Sequence, residues 1–169
     1  ELAAWEASLR LALSDESEGA FGRVYGLLSQ APHLQDAQRS ASDRLEDLPG
    51  FETLGGNDRS SLTELARRYL TGPEAAAARG AVIAELGGNR ISYRSLWSVA
   101  ALDWLSWKVP AEEMAAHLKS WGACLFHAPF DYEGDTGTEL LSDYRASAPQ
   151  EFEAMLAVAL SGDRAQEIL

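Results

Sequence analysis

The sequence predicts an all-α protein, a compact multi-helix bundle or irregular αα array of about eight or nine helices. Three observations lead there. Large apolar residues recur at steps of three and four through most of the chain, the period that gathers them on one helix face. Gly-Gly and Gly-Pro breaks and Ser/Thr-x-x-Glu/Gln starts punctuate those runs. No stretch of four or more residues alternates apolar and polar as a strand does, and no tight-turn pair separates β-branched runs. The 169 residues suit one domain spanning 1–169, and 46% of them are hydrophobic. A domain of that size removes about two-thirds of its unfolded surface from water.

The elements follow in order. Leu2, Trp5, Leu9 and Leu13 form the apolar face of a first helix, which the polar stretch from Ser14 to Gly19 breaks. Phe21, Val24, Tyr25 and Leu28 repeat the pattern. Residues 32–50 are polar, with Leu34, Leu45 and Leu48 as sparse anchors, and read as an exposed helix or a mobile connection within a polar segment at 31–60. Gly55-Gly56-Asn57-Asp58 reads as loop, and Ser61 to Glu64 reads as a capping box that opens the next helix. Gly72-Pro73 closes it; Pro73 and Glu74 suit the first turn of an alanine-rich successor that Gly87-Gly88 ends. Residues 91–107 form the most apolar helix, with Leu96, Trp97, Ala100, Ala101, Trp104 and Trp107 on a wide stripe. Pro110 opens a helix carrying Met114, Leu118, Trp121 and Leu125, and the boxes Thr136 to Glu139 and Ser147 to Gln150 open two more.

Charge narrows the function classes. The chain carries 26 acidic and 14 basic side chains, a net charge of −12. The acids are spread along it rather than gathered in a tail. Such a surface repels nucleic acid and anionic membrane and attracts a basic partner. No apolar run reaches the roughly 18 residues of a membrane span. The first residues lack the basic flank and cleavage pattern of a signal peptide, and one cysteine builds no disulfide framework, so a cytoplasmic location is expected.

Residues 125–139, LFHAPFDYEGDTGTE, are the densest functional stretch. Asp131, Glu133 and Asp135 alternate as the start of a calcium loop does, but Thr136 and Ser142 stand where that loop needs glycine and glutamate. An aromatic anchor with an acidic rim fits a protein interface better. Phe130, Asp131, Tyr132, Glu133, Asp135, Glu139 and Tyr144 are therefore the expected partner-binding residues. Cys124 has His127 three residues on and His117 seven residues before, a spacing that suits a nucleophile and base on one face. Its apolar neighbours Ala123 and Leu125 favour a buried structural cysteine instead. Trp97, Trp104 and Trp107 read as core or as the wall of a groove. Asp103 lies between tryptophans and is expected to face solvent or an arginine, with no second carboxylate at useful spacing.

The expected function is a protein–protein interaction module that binds and masks a basic partner protein. A bacterial toxin-neutralising, immunity-like protein would be an instance. No cofactor or metal is expected, and the balance leans away from an enzyme. The alternatives are a helical enzyme or enzyme subunit with a site between the helices of 92–127, and a helical-repeat scaffold or adaptor. Faint similarity between SYRS at 92–95 and DYRAS at 143–147 is the only hint of a repeat, and an array needs about three units.

Overall fold

The axis of the fold is the helix Tyr93–Ser106. A computed structural model describes residues 2–32, 42–86, 88, 92–127 and 136–161, the side chains of 136 and 137 excepted. Among them there are eight α-helices and no strand. These are α1 (Leu2–Ser14), α2 (Ala20–Leu28), α3 (Gly56–Thr71), α4 (Ala75–Ala84), α5 (Tyr93–Ser106), α6 (Ala111–Trp121), α7 (Thr136–Ser147) and α8 (Pro149–Leu160). Short 3₁₀ turns cover Leu45–Asp47, Phe51–Thr53 and Gly122–His127.

All eight residues from Ser98 to Leu105 are buried. A helix enclosed on every side needs no single stripe, which is why the expected stripe describes α5 incompletely. Trp104 is core, and its indole N–H donates to Thr63 Oγ1 of α3 at 3.1 Å. Trp107 caps the helix end and is 69% exposed. Ser92 opens α5, its hydroxyl accepting from the Ser95 amide.

Helix α3 lies along α5, α1 packs on α2, and α6 packs on α7. Two further indoles tie distant segments together: Trp5 Nε1 donates to Leu27 O at 2.9 Å and Trp121 Nε1 to Leu70 O at 2.8 Å. Two glycines permit close crossings. A Cβ on Gly22 would stand 2.6 Å from the Trp97 ring, and one on Gly122 would stand 2.4 Å from the Tyr144 ring. Tyr144 then joins Phe126 and Phe152 in a cluster that seats α7 and α8 against the 122–127 turn.

Several element starts differ from the sequence expectation. Helix α3 begins five residues before Ser61, because the Asp58 carboxylate accepts the Gly55 amide at 3.0 Å and satisfies the helix end there. The Gly-Gly-Asn-Asp stretch is thus the first turn rather than a loop. Helix α4 begins at Ala75, and the Glu74 amide donates to Glu18 from the α1–α2 connection at 2.7 Å. Helix α8 begins at Pro149 with Ala148 as its N-cap, so Ser147 does not cap it. Residues 42–54 hold both early 3₁₀ turns, with Leu45, Leu48, Phe51 and Leu54 buried as pins. Their three-residue spacing suits a 3₁₀ turn, whose side chains eclipse at i and i+3.

Candidate functional site

Of the expected partner-binding residues, Phe130, Asp131, Tyr132, Glu133 and Asp135 lie outside the described residues. Glu139 is exposed on the first turn of α7. Tyr144 is only 2% exposed and packs against Phe126 and Phe152, so its ring serves the core and is not offered to a partner. Sequence spacing placed Tyr144 beside Glu139 on one helix but could not tell which face the neighbouring turn would cover.

Cys124 is fully buried, and burial pushes its thiol above the ordinary range. A thiolate nucleophile needs the opposite environment. His127, also buried, places its Nε2 2.8 Å from Val82 O. The expected structural role of Cys124 matches this burial.

Three places bring polar groups together. The first is a cleft of about 330 Å³ between α3 and α6, lined in part by Arg67, Thr71, Glu113, His117 and Ser120. Arg67 grips Glu113 through Nε at 2.7 Å and Nη2 at 3.2 Å, and this hydrogen-bonded pairing holds the Glu113 carboxyl below its usual range. His117 is 5% exposed, and its Nε2 approaches Glu113 Oε1 to 3.5 Å without forming a hydrogen bond. An ionised carboxylate beside an imidazole is half of an acid–base device. No hydroxyl is hydrogen-bonded to that Nε2, so a nucleophile–base pair is not assembled.

The second is a cleft of about 390 Å³ where α2, α4 and α5 begin and α3 ends. Tyr69, Trp97 and three alanines of α4 supply apolar wall, and Glu18, Glu74 and Arg94 supply charge. Trp97 thus has the groove position that the sequence offered as one of two readings, while Trp104 has the core position.

The third is the seam where residues 42–47 meet α5. Asp103 is 6% exposed and faces Arg44, whose Nε stands 3.9 Å from Asp103 Oδ2. The arginine expectation for Asp103 is met. The expectation of no companion carboxylate is corrected: Asp43, 7% exposed, lies in the same seam. Nothing in the sequence signals a pairing across sixty positions. Burial raises both carboxyls to about 6, Arg44 partly offsetting it and the neighbouring acids adding to it.

Several basic groups elsewhere are drawn into the chain's own contacts. Arg23 pairs with Asp15, Arg67 with Glu64 and Glu113, and Arg145 with Glu153. Arg59 lies over the Phe51 ring and Lys108 over the Trp104 ring. Exposed acids such as Glu52, Glu112, Glu139, Asp143 and Glu151 are left facing water. Among the described residues, no group of three His, Cys, Asp or Glu side chains could hold a metal ion, and no helix is long and apolar enough to cross a membrane.

No protein-family model, no curated protein and no solved structure matches the chain.

Proposed function

We propose that the protein is an interaction module that binds a basic partner protein and masks its cationic surface. The observation that supports it most is the disposition of charge. The chain carries a net charge of −12, and many of its few cations are engaged with its own acids and rings. A surface so arranged accelerates encounter with a positive patch and rejects nucleic acid and other acidic proteins. Within that class, a cytoplasmic toxin- or nuclease-neutralising protein is the instance that uses this chemistry most directly. The 130–139 stretch, with Glu139 at its end, remains the contact region this reading assigns.

The test is affinity capture from native lysate at low and at raised salt, with captured proteins identified by mass. One stoichiometric basic protein, held at low salt and lost at raised salt, is the expected result. Recovery of an acidic or nucleic-acid-bound species, or of nothing, overturns the reading. The cleft holding His117, Glu113 and Arg67 favours a second reading, a helical enzyme or enzyme subunit using α6. In that case His117→Ala abolishes a turnover detected in substrate screens while the fold persists.

A further inference from the structure

Four carboxylates, Asp43, Glu46, Asp47 and Asp103, crowd one guanidinium in the seam between residues 42–47 and α5. Arg44 divides itself between Glu46, at 3.3 Å from Nη2, and Asp103, at 3.9 Å from Nε. The Glu46 contact is a hydrogen bond but the Asp103 contact is not: Arg44 Nε, like Asp43 Oδ2, is buried and has no hydrogen-bond partner. Asp47 is held instead by the Ser42 hydroxyl at 3.3 Å. Asp103 stands in the last turn of α5, where the helix dipole adds further negative potential. The described seam therefore holds more carboxylates than cations, and one buried acceptor and one buried donor in it stand unpaired.

Among the described residues, nothing else packed there makes up the deficit. From α2, the neutral Tyr25 phenol donates to Ser42 O. From the start of α5, Tyr93 brings only a phenol. Arg59 of α3 and Lys108 beyond α5 are engaged with the Phe51 and Trp104 rings. No three acids of the seam are arranged to hold a metal ion, and Asp43 Oδ2 is closed to solvent. A proton is the cation that can enter, because a protonated carboxyl is both neutral and a donor.

We propose that this seam is a proton-operated latch, which grips α5 more tightly when Asp43 and Asp103 take up protons. The segment it controls carries the apolar pins Leu45, Leu48, Phe51 and Leu54. Both carboxyls release their protons near pH 6 in the folded protein, against the ordinary 3.8 in an open chain. The folded state thus binds more protons between those values, so the latch strengthens as pH falls through about 6 and weakens as pH rises.

Hydrogen exchange of the backbone amides of residues 42–54, corrected for intrinsic rates, tests this. Protection is expected to rise about tenfold for each carboxylate between about pH 7.5 and about pH 5. In the Asp43→Asn/Asp103→Asn protein the rise disappears, with protection at the higher pH equal to or above that of the natural chain. Flat or falling protection in the natural chain, or an undiminished rise in the variant, overturns the latch. A carbon-13 carboxyl titration of the unaltered protein decides the matter even if the variant does not fold. Midpoints for Asp43 and Asp103 at the ordinary carboxylate value also overturn it.

Discussion

At the scale of single residues, burial decides chemistry here. Cys124 has two histidines at helical spacing, yet it lies at 0% exposure with its thiol pushed toward the protonated form. A thiol-specific reagent is expected to leave it unmodified in the native protein at neutral pH and to modify it fully in denaturant. Rapid native labelling would show that the 122–127 turn opens readily. The two aspartates of the seam show the opposite consequence of burial. A Cys buried protonated is a quiet neutral group, whereas an Asp buried among other acids is held charged at neutral pH at a cost in stability.

At the scale of elements, side-chain volume at the crossings sets what the helices tolerate. Gly122 sits beneath the Tyr144 ring, so Gly122→Ala must displace a buried aromatic that also supports Phe126 and Phe152. Loss of about 1–3 kcal/mol is expected by denaturant unfolding, the usual range for overpacking. Gly80, in the exposed middle of α4, has open space where a Cβ would go. Gly80→Ala is expected to stabilise by about 0.5–1 kcal/mol, because glycine costs a helix interior that much. Equal effects from the two changes would mean that helix propensity, and not packing, dominates both. The misplaced starts of α3, α4 and α8 belong to this scale too. Capping boxes read along the chain find side chains able to cap, but Asp58 and, from a distant connection, Glu18 do the capping.

At the scale of the whole molecule, the net charge is the quantity a partner meets first. Exposed charges act at a range set by the Debye length, about 10 Å at 0.1 M salt and about 3 Å at 1 M. Under the masking proposal, the association rate constant of a captured basic partner is expected to fall at least about tenfold between low and high salt, with a smaller change in dissociation. Stopped-flow mixing measures both. An association rate indifferent to salt would make the acidic surface a solubility feature and remove the main support for masking.

Periodicity alone made the helical class legible, because a period near 3.6 survives whatever the helices pack against. The central place of α5 was legible only in part. Its apolar density marked it as core, but whether Trp97, Trp104 and Trp107 face core, cleft or water depends on which neighbour covers each angle. Charge balance was fully legible, since it needs no geometry. The seam was not: Asp43 and Asp103 are unremarkable acids until residues 42–54 fold back on α5 and enclose them. His117 stood out in the sequence only by its spacing to Cys124; the cleft it lines needs Arg67, which arrives from α3 to pair with Glu113, forty-six residues away. Composition and local period, which are sums over neighbours in the chain, were thus determined by the sequence itself. Burial, ion pairing and proton affinity were decided only by the tertiary structure, because each depends on groups that the chain separates and folding brings within a few ångströms.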